Sequence, residues 1–193
     1  MHLSVKNAKN SELVKWLKTA ARFYASELMH PNLVRNLSVK IEVSDKLRIL
    51  GMCDWDGEYN RRLREFNITV KRQKRAIGMF KSLAHEFVHV KQYASGEMDG
   101  VVRSYENLND FEITRWAGSQ VKFASFKKPR SVDKNKIMIH DKGYDYYYHP
   151  WEIEAYGLEV GLYDFFTKIY GKSYLSLIHI SEPTRPERIW YGG

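Results

Sequence analysis

SLAHEFVHVKQY, Ser82 to Tyr93, sets two histidines four positions apart with a glutamate directly after the first. The wider run from Ala76 to Met98 places Ile77, Phe80, Ala84, Phe87 and Val88 on one side of a 3.6-residue period, and His85, His89 and Gln92 on another. Gly96 supplies a stop. The expectation is a helix of about five turns, with an apolar face that folds it and a separate polar face that carries the histidines.

Working outward, SELVKWLKTAARFYASELM upstream repeats Leu13, Leu17, Ala20, Ala21, Tyr24 and Leu28 at helical spacing, with Ser11 as N-cap and Pro31 as a stop. LSVKIEV alternates Leu37, Val39, Ile41 and Val43 against polar residues, KLRILGMCDW reads as a second strand, and REFNITVKR alternates Phe66, Ile68 and Val70 as a third. A helix followed by a small antiparallel meander is expected. Downstream, Asp99 to Lys142 reads as a long loop with short elements. HPWEIEAYGLEVGLYDFFTKIYG then predicts a second helix, with Pro150 in its first turn and Ile153, Tyr156, Val160 and Phe165 as its packing face. In CDWDGEYN, Asp54 and Asp56 lack the spacing of a calcium loop and read as a turn.

Composition bounds the chemistry. The 193 residues, 44% hydrophobic and 14% aromatic, suffice for one good core. No run reaches the roughly 18 apolar residues of a membrane span, and MHLSVKNAKNSELVKW lacks a secretion signal, so a cytoplasmic protein is expected. The single cysteine, Cys53, excludes an internal disulfide and a thiolate zinc site, which leaves His and carboxylate as metal ligands. A net charge of +8, with basic clusters in NRRLREF, VKRQKRA and FKKPR, is compatible with nucleic acid as a partner and equally with a solvated basic surface.

Residues i and i+4 lie one turn apart on one helix face, so the imidazoles of His85 and His89 can converge on one ion, and zinc accepts neutral imidazole. Glu86 then projects beside the ion, placed to take a proton from an attacking water and pass it to a leaving amine. A catalytic zinc needs a third protein ligand and an open fourth position. Glu152 and Glu154, opening the second helix, are the best candidates, with His149 a further one.

HEFVHVKQYASGEM followed by YYYHPWEIEAYG resembles the gluzincin branch of the zincin metallopeptidases, and more narrowly small SprT-like proteins of phage and environmental bacteria. The resemblance spans Phe66 to Leu162. It implies a zincin-like α+β fold, a zinc-dependent endopeptidase acting on a polypeptide substrate, and metal ligands His85, His89 and Glu152, with Glu86 as general base. It also implies that an edge strand before the metal helix, here EFNITV, pairs with extended peptide. Tyr156 stands where such proteins usually carry an Asp that orients a ligating imidazole. Proteins of the SprT and Spartan type use a third histidine, so their DNA-linked role transfers only as an alternative. Tyr146, Tyr147, Tyr148 and His149 are candidates for hydrogen bonding a developing oxyanion, or for plain aromatic packing. Gln92 is expected to support a ligand or the backbone, and Trp116 and Trp151 to line core or cleft.

LSLIHISEPTRPERIWYGG, Leu175 to Gly193, differs in character and closely resembles a translated transposase-type sequencing adapter. The expectation is one domain over residues 1–174 and a non-native tail over 175–193, in which His179 carries no functional weight. The tail holds Glu182, Glu187, Arg185 and Arg188, so the charge argument stands without it.

Overall fold

The computed structural model describes residues 1–55, 63–104, 111–124, 147 and 149–180. Tyr146, Tyr148, Asp56, the FKKPR cluster and the tail beyond Ile180 lie outside the described residues.

The chain opens with a strand, β1 (His2–Lys6), and continues through helices α1 (Ser11–Leu28) and α2 (Pro31–Arg35) into β2 (Ser38–Ser44). Asn10 caps α1, its Oδ1 accepting from the Leu13 N–H at 2.7 Å, one position before the expected Ser11. A helical connection of this kind carries the chain back to the same end of the sheet, and β1 and β2 pair in parallel. Two further strands follow, β3 (Gly51–Asp54) and β4 (Glu65–Lys71). The sheet order is β1-β2-β4-β3, with β2 and β4 parallel and β3 antiparallel to β4.

The sheet is therefore mixed, not the expected antiparallel meander. Alternation in LSVKIEV and EFNITV reports that one face of each strand is buried, and it carries no information on strand direction. Register brings the buried residues into rows: Val39 beside Phe66, Ile41 beside Ile68, Val43 beside Val70, with Leu3 next to Val39. Except for Leu3, at 8%, all of these are at most 1% exposed. Lys40 and Glu42 take the solvent side. Because β4 lies between β2 and β3, EFNITV is an interior strand. Among the described residues the edge on that side of the sheet is β3.

Helix α3 (Ala76–Ser95) packs across this sheet and ends at Gly96, whose φ of 78° is the left-handed conformation that glycine adopts without strain. A second sheet follows, from β5 (Met98–Ser104), β6 (Phe111–Trp116) and β7 (Ser119–Ala124), all antiparallel, where a long loop was expected. Ala117 and Gly118 close the β6–β7 hairpin with φ of 47° and 82°, the two positive values that a type I′ turn requires.

Helix α4 (Pro150–Ile180) lies against α3 and α1. Its buried stripe is Trp151, Glu152, Ala155, Leu162, Tyr163 and Phe166. The expected packing face is turned outward, with Ile153, Tyr156, Val160 and Phe165 between 42% and 56% exposed. The helix is apolar around most of its circumference, so its period marks a helix without saying which side packs. Phe166 anchors it. Its ring stacks on Phe80 at 5.9 Å and meets Trp16, Phe23, Tyr24 and Tyr170 within 6.3 Å. Since α4 covers the histidine side of α3, that helix is buried on both faces, and the apolar and polar faces read from sequence are two walls of one interior.

Candidate metal centre

Helix α3 presents His85 and His89 one turn apart, with their Nε2 atoms 3.2 Å from each other. The first turn of α4 brings Glu152 over them, its Oε2 3.3 Å from His85 Nε2 and its Oε1 3.5 Å from His89 Nε2. Each residue offers one ligand atom, and the three lie within 4.8 Å of one another. Both histidines are 8% exposed and Glu152 is 2% exposed. Among the described residues this is the group of His, Cys, Asp and Glu that could hold a metal ion.

The other two candidate ligands sit elsewhere. The Glu154 carboxylate accepts from Lys91 Nζ at 2.7 Å and from Gln92 Nε2 at 2.9 Å. His149 packs its ring 4.7 Å from Trp151 and accepts the Ile153 N–H on its carbonyl, which makes it part of the helix start.

Each imidazole is oriented from its far side. His89 Nδ1 donates to Gln92 Oε1 at 2.8 Å, and Gln92 Nε2 donates in turn to the Trp151 carbonyl at 2.9 Å and to Glu154. His85 Nδ1 donates to Glu159 Oε2 at 2.9 Å. With both Nδ1 atoms engaged, both Nε2 atoms are turned toward the Glu152 carboxylate, the side of each ring from which a metal would be bound. Gln92 fills the supporting role expected of it. Glu159 performs the orienting task for which Tyr156 is unsuited, and sequence reasoning missed it. The signal was present, because Glu152 and Glu159 are seven residues apart, two turns along the same helix face.

The ionisable groups answer to this crowding. Burial pulls His85 down, but its bonds to Glu152 and Glu159, with the nearby Glu86, outweigh it and raise its pKa to about 9. Burial lowers His89, which can then serve as the neutral partner. Burial pushes Glu86 up to about 8; His85 opposes this, while Glu152 and Glu159 add to it. The Glu86 carboxyl is 4% exposed.

Tyr156 lies over the site, its ring 4.5 Å from that of His85, and Tyr147 stands 5.4 Å beyond it, 58% exposed. Burial, with Glu152 next in weight, raises the Tyr156 phenol to about 12, so it stays a hydrogen-bond donor through the neutral range. Trp151 is buried in the core and Trp116, half-buried, packs against the core with its ring 6.1 Å from that of Trp151, the core reading of the two expected. Asp54 accepts the Trp55 N–H on its own side chain at 2.8 Å, a local chain-turning bond. Parts of the basic clusters are engaged internally: Arg72 Nε donates to Asp45 Oδ1 at 2.9 Å, and Arg64 donates to the carbonyls of Leu63 and Ala94.

No family model matches this chain, and no curated protein or solved structure matches it significantly. Among the described residues, no helix is long and apolar enough to cross a membrane.

Proposed function

We propose that this chain is a zinc-dependent endopeptidase of zincin-like architecture, in which His85, His89 and Glu152 hold the ion and Glu86 is the general base. One observation carries the reading. Zinc–ligand bonds of about 2.0–2.1 Å at tetrahedral angles separate neighbouring ligand atoms by about 3.3–3.4 Å. The two Nε2 atoms are 3.2 Å apart, His85 Nε2 is 3.3 Å from Glu152 Oε2 and His89 Nε2 is 3.5 Å from Glu152 Oε1, and one ligand atom from each of the three residues lies within 4.8 Å of the other two. Two imidazoles and one carboxylate are also the donor set of hydrolytic zinc, with one position left for the reacting molecules.

A bound zinc ion supplies Lewis acidity toward a carbonyl oxygen and eases deprotonation of water. The chain's own residues do the rest. Glu86 takes the proton of the attacking water and returns it to the departing amine, and its carboxyl near pKa 8 can serve in both directions. Tyr156, its ring against His85, offers a neutral phenol at the rim of the site. Among the described residues β3 is an edge strand, which supports an extended polypeptide as substrate, since an edge strand can pair with one more chain through its main-chain groups.

The test is metal analysis with cleavage of unfolded casein. One zinc per chain is expected in the wild type and none after changing both histidines to Ala. Glu86→Gln should keep the zinc and lose cleavage by roughly 10²–10⁴-fold, the worth of a general base. A folded wild type that takes up no metal overturns the reading.

A further inference from the structure

Strand β3 touches the site through a residue with no side chain. A Cβ built on Gly51 would stand 2.3 Å from Glu86 Oε1, 2.9 Å from Glu86 Cδ and 3.0 Å from Glu86 Cγ. The Glu86 carboxyl therefore occupies the volume that any other residue at position 51 would fill. Side chains alternate along a strand, so Gly51 and Cys53 share the face toward α3, while Met52, 42% exposed, points away.

The main chain at this point faces outward. The Lys71 N–H donates to the Leu50 carbonyl at 2.9 Å, which makes Leu50 and Lys71 a hydrogen-bonded pair. Antiparallel pairs alternate, so Met52 opposite Thr69 and Asp54 opposite Asn67 bond inward to β4, while Gly51 and Cys53 turn their N–H and C=O away from β4, to the side where no described strand pairs. Glu86 and an outward-facing peptide group of β3 are thereby brought to the same place.

We infer that Gly51 is a positioning residue for Glu86: its missing side chain seats the general base against the sheet edge along which a substrate chain would lie. The inference rests on the peptidase reading. A methyl group at position 51 meets the far end of a flexible side chain, so the fold can absorb it and the displaced group is Glu86. Gly51 sits in a strand without a positive φ, and alanine there imposes no backbone strain.

The experiment is Gly51→Ala and Gly51→Val, each assayed for zinc content, thermal midpoint and cleavage of unfolded casein. Gly51→Ala should bind zinc and melt as the wild type does, with kcat lowered on the order of 10–100-fold and KM little changed, the cost of misplacing a reacting group by about an ångström. Gly51→Val should fall further in kcat. Wild-type kcat in Gly51→Ala overturns the inference, as does a loss confined to KM. Loss of zinc or of the folded state in Gly51→Ala also overturns it, because the cost would then lie in the scaffold. A zinc-loaded wild type that cleaves nothing removes the peptidase reading itself, a result distinct from an active wild type indifferent to Gly51→Ala.

Discussion

Glu159 and Gln92 never meet the ion in the proposed site, yet they fix which nitrogen of each histidine is offered to it. Removing such a partner costs about 10–100-fold in metal affinity in comparable centres. Glu159→Gln and Gln92→Ala should each weaken zinc binding by that order, measured by competition with a chromophoric chelator, while far-ultraviolet circular dichroism stays that of the wild type. Protons give a second reading of the same residues. His85, with its pKa near 9, must give up a proton before its Nε2 can bind metal. Zinc uptake at pH 7 should therefore release about one proton from this residue, and the release should shrink as pH rises through 9. Calorimetric titrations in buffers of different ionisation enthalpy measure it, and a proton count that stays level from pH 7 to 10 would contradict the His85 assignment.

At the scale of elements, sequence and structure part company for identifiable reasons. The histidine helix was legible because its period, its stop at Gly96 and its histidine spacing all agree. Glu152 was legible as one of two glutamates opening a helix, and the motif resemblance ranked it over Glu154. Strand β1 was missed because HLSVK is short and only Leu3 is fully buried. The parallel pairing of β2 with its neighbours was missed because alternation is blind to direction. The inward side of α4 was misread because Ile153, Val160 and Phe165 repeat as regularly as the residues that pack. These two stripes are separable by measurement. Phe166→Ala, at a fully buried ring, should lower the unfolding free energy by about 3–5 kcal/mol, whereas Ile169→Ala, 53% exposed, should change it by no more than about 0.5 kcal/mol. Urea denaturation of the two variants decides it, and equal costs would mean that the docked face of α4 is wrongly placed.

For the whole molecule, the proposed ion is a bridge. Its ligands come from α3 and α4, and the same two helices are joined by Gln92 to the Trp151 carbonyl and by Lys91 to Glu154. A ligand that binds only the folded chain stabilises it in proportion to the logarithm of its excess, about 4 kcal/mol at a thousand times its dissociation constant. Zinc should therefore raise the thermal midpoint and a chelator should lower it by several degrees. The variant lacking both histidines should respond to neither. A wild type whose melting ignores both additions would show that the two helices dock without the metal's help.

That the ligands come from two distant parts of the chain also sets a timetable. A ribosome adding about 5–20 residues per second finishes the two histidines several seconds before it reaches Glu152. During that interval the nascent chain carries the two imidazoles and Glu86 but not Glu152, and so lacks the proposed third ligand. On the proposed function, the chain would stay inert beside its own unfolded segments and become active only once α4 has closed over the histidines.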